Sequence, residues 1–391
     1  MKVIYWLRTD LRVFDNKTLA ECLKKKQEII FVFAQTKSLK LAGKIRKKFV
    51  EDSFNFFKIQ LEEYGFNVLK TELCFSDYIS IIFHSHPFDS LYYTQEYAWD
   101  ERLEESLVKK YCRERNISVH HYDQGTMIAL NDLPFELDDM PFVFTDFRKK
   151  IESQFKIKPL ISTPAPFTSL ANKGMDRLQH YLWKTHAIQK YKETRNGMIK
   201  YDDSSKLSPW LNIGFLSART IYFELKKYES EVCENESTYW LFFELLWRDY
   251  FKLFSLKFGQ KIFLSSGLNP GVSPNHKIQE TFHSWCAAKT PDAFINANMN
   301  ELNLTGWMSN RGRQNVASYL IHDLGVDWTW GAAYFEEKLF DYDPDLNWGN
   351  WLYLAGRGSD PRARKFNTIK QAETYDPIGE YRQLWRSGSG E

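Results

Sequence analysis

Residues 304–351 read LTGWMSNRGRQNVASYLIHDLGVDWTWGAAYFEEKLFDYDPDLNWGNW, and their pattern decides how the rest is understood. Asn310, Arg313 and Gln314 fall at i, i+3 and i+4, so on a helix they share one face. Asp341, Asp343 and Asn347 follow in a segment punctuated by Pro344 and Gly349, which reads as a loop that aims polar groups at a ligand. Trp307, Trp328, Trp330, Trp348 and Trp351 thread through the stretch. Guanidinium, carboxylate and amide groups set among indoles suit a flat, polar-edged, redox-active ring better than a metal ion or a nucleophile. The same spacing also fits an ordinary helical core with one Arg–Asp pair.

Outward from this stretch, the sequence from Met175 onward is helical in period and holds eleven of the thirteen tryptophans. A large helical unit rich in buried aromatics is where a cofactor would sit. Upstream, Val3–Leu7, Ile29–Ala34, Asn67–Thr71, Leu91–Gln95 and Ile117–Tyr122 read as strands, alternating with helical stretches at Lys17–Lys25, Lys44–Tyr64 and Glu101–Arg115. That alternation predicts βαβ units and a doubly wound parallel sheet. No GxGxxG follows the first strand, which argues against a dinucleotide site there. Between about Asn131 and Gly174 prolines break the pattern. The expected organisation is therefore an α/β domain over 1–130, a connector over 131–174 and an all-α domain over 175–391.

Lys and Arg number 52 against 50 Asp and Glu, a net charge of only +2. Any nucleic-acid surface must then be a local patch. Arg357, Arg362, Arg364, Lys365 and Lys370 form one candidate. The run Lys37, Lys40, Lys44, Arg46, Lys47 and Lys48 reads as a solvated face. The five cysteines have no CxxC and no regular spacing, which fits a reduced compartment and excludes a zinc or disulfide frame. No metal site is expected. No apolar run is long enough to span a membrane and Met1–Tyr5 enters a strand directly, so the expectation is a monomeric, cytoplasmic protein.

Two further segments carry chemistry. Ser204–Ser208 precedes Pro209 and a helical run; Ser208 as N-cap with Pro209 at the first helical position is a good helix start. Free N–H groups there, with serine hydroxyls and Lys206, suit a diphosphate, although simple capping explains the pattern too. Glu244, Trp247, Arg248 and Phe251 lie at i, i+3, i+4 and i+7 on one helix face. A surface Glu244–Arg248 pair is the plain reading and contributes only ~0.3–0.5 kcal/mol.

The order of residues adds a resemblance. YKETRNGM from Tyr191, SSKLSPWL from Ser204, FELLWRDYF from Phe243, TGWMSNRGRQNVASYL from Thr305, DYDPDLNWGNW from Asp341 and KQAETYDPIGEY from Lys370 resemble the photolyase/cryptochrome family, in particular a short member of its DASH branch. The resemblance implies FAD as cofactor. Ser204, Ser205, Lys206, Leu207 and Ser208 would grip its phosphates, with Tyr191 nearby and Arg248 adding charge. Asn310, Arg313, Asp341, Asp343 and Asn347 would line the flavin ring, with Arg313–Asp341 as an ion pair beside it. Asn347 would face the ring nitrogen that is protonated on reduction, where an amide can donate or accept.

The implied activity is light-driven splitting of cyclobutane pyrimidine dimers in DNA, with single strands preferred. The alternative is a blue-light receptor without repair. Glu244 would hydrogen-bond the dimer and Trp247 would stack on it, while Tyr353 stands where many photolyases carry a second tryptophan. Gln314 and Asn310 would border the lesion. The class acting on (6-4) products has a histidine at the Asn310 position. Arg311 and the Arg357–Lys365 patch would meet phosphates. Trp351 and Trp328 match the inner two members of the family's electron-transfer chain, and Asn275 stands at the outer position. Arg8, Asp10, Arg12, Asp15 and Asn16 match an opening loop that supports the fold. Glu101 falls near an antenna-binding glutamate, so a methenyltetrahydrofolate or another antenna chromophore is the implied second ligand; a helix-start carboxylate explains Glu101 equally. Asn296 and Asn300 depart from the branch's usual Asp and Arg.

Overall fold

The computed structural model describes residues 2–24, 28–154, 156–168, 170–269, 279–359 and 364–386. Strands β1 (Lys2–Leu7), β2 (Glu28–Ala34), β3 (Asn67–Thr71), β4 (Ser90–Thr94) and β5 (Ser118–Tyr122) form one parallel sheet in the order β3-β2-β1-β4-β5. Tyr5 of β1 stands between Phe31 of β2 and Tyr92 of β4. A parallel sheet is covered on both faces, which is why β1 is apolar without alternation. Val3, Tyr5 and Leu7 pack with Phe31, Phe33, Phe54 and Phe57 on one face. Ile4 and Trp6 pack with Ile30, Val32, Phe75 and Val108 on the other. This is the doubly wound arrangement expected, followed by a helical remainder.

Three helices of the first half were not legible, the shortest being Lys37–Leu41 after β2. Phe75–Ser85 follows β3. Phe144–Gln154 lies inside the proline-rich stretch read as a connector and buries Phe144, Phe147 and Ile151, a clean i, i+3, i+7 stripe. The first helix ends at Leu23, short of the expected Lys25, which lies outside the described residues.

The helix Glu236–Phe258 is the spine of the second half. Asn235 caps it by accepting from the N–H groups of Ser237 and Thr238, and Gly259 ends it at φ +54°. It is apolar nearly all round, yet it buries Arg248, Asp249 and Lys252. These charges are paired across to other elements. Asp249 accepts from the N–H of Met127 (2.8 Å), Arg248 donates to the Gly125 carbonyl (2.6 Å), and Lys252 reaches Asp345 (2.9 Å) and Asp343 (3.0 Å).

The opening loop joins the sheet to the helices. Asp10 accepts from the Tyr5 hydroxyl (2.5 Å) and the Thr94 hydroxyl (2.7 Å). Asp15 takes Arg219 (2.6 Å) and Ser217 (2.5 Å), and Arg12 donates to the Gly214 carbonyl (3.1 Å). Gly214 sits at φ +82°, and a Cβ there would lie 2.0 Å from the Thr9 carbonyl oxygen. Replacing it with alanine combines left-handed backbone strain with a clash against backbone, so Gly214→Ala is expected to destabilise by roughly 2–4 kcal/mol. A urea midpoint unchanged from wild type would show that the loop yields freely.

Candidate functional site

A cleft enclosing about 1420 Å³, counting its open mouth, lies within the helical half. One end is the turn Ser204–Ser208, all five residues of which line it, with Tyr191 beside them. The turn precedes the short helix Ser208–Asn212, whose N-cap is Leu207, not Ser208. Ser208 is the first helical residue, and its hydroxyl donates to Asp341 Oδ2 (2.7 Å). Lys206 is held at φ +54° and lies over the Trp307 ring at 4.2 Å. Burial pulls its ammonium down to about 8, with Glu301 opposing and Arg313 adding like-charge repulsion.

The adjoining wall is built by the helices Asn310–His322 and Pro344–Leu354. Asn310, Arg313 and Gln314 all line the cleft, as their shared helix face requires. Arg313 Nη2 meets Asp341 Oδ1 at 3.0 Å and Oδ2 at 2.9 Å, while its Nε donates to the Met308 carbonyl (2.9 Å). The segment read as a loop is one only through Asp343. Asp343 is an N-cap accepting from Leu346 N–H (3.1 Å) and Pro344 opens a helix, so Asn347 and Trp351 line the cleft one turn apart. Lys252 and Arg248 hold the Asp343 carboxyl below its usual range although burial pushes it up. The Asn347 Nδ2 donates to the Ala332 carbonyl (3.0 Å), which fixes the amide's orientation and leaves its oxygen as the atom with acceptor capacity to spare.

Glu244 and Arg248 both line the cleft but do not pair with each other. Glu244 is bound by Arg195 (2.8 Å), a residue the sequence did not single out, and burial raises its carboxyl against that pairing. Arg248 turns to Gly125 and also borders a second cavity. The Nε atoms of Arg195 and Arg248 are buried without a partner among the described residues.

Four anticipated residues lie outside the lining. Trp247 is stacked on Phe144, ring centroids 3.6 Å apart and planes 13° apart, and contacts Tyr353 edge-on at 5.9 Å. The Tyr353 hydroxyl accepts from Arg364 (2.6 Å). Arg311 donates to Asn196 (3.3 Å) and its guanidinium lies 4.9 Å over Tyr375. Trp328 is buried, donating to the Ser265 carbonyl (3.0 Å), with its ring 5.8 Å from Trp348. Asn275 lies outside the described residues. Trp285 is fully buried and reaches the Trp351 ring at 6.3 Å. In the basic patch Arg357 is buried, Lys365 pairs with Asp323 (2.7 Å), and Arg362 lies outside the described residues. In the lysine run Arg46 is buried, not solvated. It donates to the Glu336 carbonyl (2.8 Å) and sits over Tyr342.

The second cavity, about 1330 Å³, opens at the carboxyl ends of β1, β2 and β4, where doubly wound sheets bind ligands. Arg8, Arg46, Glu101, Lys252 and Tyr342 line it. Burial pushes the Glu101 carboxyl up to about 8. Among the described residues no cluster of metal-ligating side chains occurs, and no helix is long and apolar enough to cross a membrane.

Comparison with known proteins fits this geometry. Residues 240–387 match the FAD binding domain of DNA photolyase and residues 3–167 match the DNA photolyase domain. Cryptochrome DASH of Danio rerio is 38% identical, over 98% of this chain and 82% of its own length. Cryptochrome DASH of Synechocystis is 39% identical, over 98% and 87%. The chain belongs to the DASH branch of the photolyase/cryptochrome family. The crystal structure of the Synechocystis cryptochrome superposes with a TM-score of 0.91 at 38% identity, covering 98% of this chain and 88% of that one. An archaeal photolyase from Sulfolobus tokodaii shares the fold at a TM-score of 0.82 and 24% identity, covering 99% and 90%.

FAD is the cofactor of this family, and the residues present fit it. The cleft, about 1420 Å³ counting its open mouth, has room for a dinucleotide. Its cationic end holds serine hydroxyls, and unpaired guanidinium nitrogens border its length. Beside that turn the Arg313–Asp341 pair and an oriented Asn347 line the wall. An anion beside Lys206 favours the charged ammonium, so FAD affinity should be full below about 8 and weaken as pH rises past that value, by at most about tenfold per unit. Fluorescence of released flavin measures this. Lys206→Met should bind more weakly with a flat profile, and a flat wild-type profile would disconnect Lys206 from the ligand.

Proposed function

We propose that this DASH-type protein splits cyclobutane pyrimidine dimers in DNA under blue or near-ultraviolet light and prefers single strands. The observation that carries the reading is one cleft in which Glu244, Asn310 and Gln314 join the Arg313–Asp341 pair, Asn347 and Trp351. Bound FAD in its reduced form supplies a light-driven one-electron donor, which is the cofactor's chemistry and not the protein's. The chain's own groups bind and orient. Glu244, its carboxyl raised by burial against the pairing with Arg195, is the group that would hydrogen-bond a pyrimidine edge. Asn310 and Gln314 present amides that can donate or accept at the base edges. Arg313 beside the ring favours negative charge there, and Asp341 keeps that guanidinium in place. Arg311, outside the cleft lining beside Asn196 and Tyr375, suits a phosphate contact, which makes binding salt-sensitive. An unpaired dimer swings into such a cleft at lower cost than one inside a duplex. The cavity at the sheet's carboxyl edge suits a second, light-gathering chromophore such as a folate.

A second reading has an observation of its own. The Trp247 ring is covered by Phe144 and Glu244 is engaged by Arg195, as a blue-light receptor that never admits a lesion would allow. The two are separated by illuminating the reduced protein with dimer-bearing oligonucleotides, single- and double-stranded. Restored thymine absorbance, faster on single strands, supports repair; flavin spectral change without restoration supports a receptor. If Trp247 is the stacking platform, Trp247→Ala should lose roughly 1–3 kcal/mol of affinity for a dimer-bearing strand and Phe144→Ala should gain affinity. Equal affinity in both variants removes Trp247 from the site. We also expect Trp351→Phe to block light-driven flavin reduction in vitro, and unchanged reduction kinetics would refute that role for Trp351.

A further inference from the structure

We propose that Arg177, which touches neither cleft nor ligand, is a positioning residue that presets the Ser204–Ser208 turn for the diphosphate of FAD. This rests on the reading of that turn as the phosphate end of the cleft. Arg177 lies on the helix Lys173–Gln179 and is buried. Its Nε donates to the Ser205 carbonyl (2.8 Å), one terminal nitrogen to the Ser204 carbonyl (3.1 Å), and the other to Asp202 (2.6 Å). Asp202 also meets His180 Nε2 at 3.2 Å, and the guanidinium is sandwiched near Tyr201 (4.5 Å) and Tyr181 (5.1 Å). Every part of this fork is therefore fixed.

The consequence follows from peptide geometry. In a trans peptide the C=O and the next N–H point in opposite directions. Two consecutive carbonyls turned onto Arg177, outside the cleft, turn the N–H groups of Ser205 and Lys206 the other way. Lys206 at φ +54°, followed by Leu207 at φ −89° and ψ −15°, is the left-handed and right-handed pair that makes successive N–H groups converge into an anion-binding nest. The N–H groups of Ser205, Lys206, Leu207 and Ser208 find no acceptor among the described residues. A lysine in that backbone region is strained, and such strain persists only where surroundings over-determine it. Arg177 supplies two of the bonds that do so. The turn is thus prepared for an anion before one arrives, by a charge that never faces it.

The test uses the full chain, with dissociation constants for FAD and for riboflavin, which has the same ring and no phosphate. Arg177→Met should weaken FAD binding roughly 10- to 100-fold while riboflavin changes less than about twofold. Arg177→Lys, keeping one donor, should fall between. Asp202→Asn, a milder change that carries the test if Arg177→Met does not fold, should weaken FAD selectively but less. Equal weakening of FAD and riboflavin, or FAD binding unchanged in Arg177→Met, would overturn the proposal. A wild-type protein with no preference for FAD over riboflavin would instead overturn the phosphate reading of the turn, and this proposal with it.

Discussion

The buried ammonium of Lys252 is the tie on which the helical half depends. It lies between Asp343 and Asp345, at 3.0 and 2.9 Å, with all three side chains nearly sealed from water. A charge placed there must stay paired, because removing one partner of a buried ion pair costs ~3–5 kcal/mol. The pairing sets the start of the helix Pro344–Leu354 against the spine Glu236–Phe258, and so sets where Asn347 and Trp351 face. Asp345, pushed up to about 6 by burial and by the neighbouring Asp343 charge, is the more weakly ionised partner. The same spine holds the strand–helix junction through Asp249 and Arg248. Three buried charged residues on this largely apolar helix thus fix register in two directions.

How much of this was visible in the chain can be argued residue by residue. The apolar run of β1 and its repetition announced the parallel sheet, since strands buried on both faces have no polar alternation. The i, i+3, i+4 face of Asn310, Arg313 and Gln314 came through because helical periodicity is local. The partners of charged residues did not. Glu244 looked paired with Arg248 by spacing alone, yet Arg195, 49 positions earlier, takes it. Such choices depend on tertiary approach, which spacing does not encode. The helix Phe144–Gln154 was hidden by flanking prolines although its own stripe is regular. Asp343-Pro344 is a helix start, but with Asp341, Asn347 and Gly349 close by the segment reads as a loop. Arg177 had no signal at all, since its work is done on backbone carbonyls.

The stack of Phe144 on Trp247 shows how a fold-level decision reaches the site. Phe144 opens a helix in the segment between the two halves and belongs to the same apolar cluster as the spine. Its position answers to core packing with Phe147 and Tyr250 as much as to the cleft. The exposure of the Trp247 ring is therefore set partly by the joining segment.

Arg248 borders both hollows, and Asp343, Tyr342, Leu211 and Asn212 do so as well. These shared residues include the charged side chains of Arg248 and Asp343. Whatever fills either chamber strips water from a guanidinium that the other also sees. Any coupling carried by that shared guanidinium would act equally in both directions, by thermodynamic reciprocity.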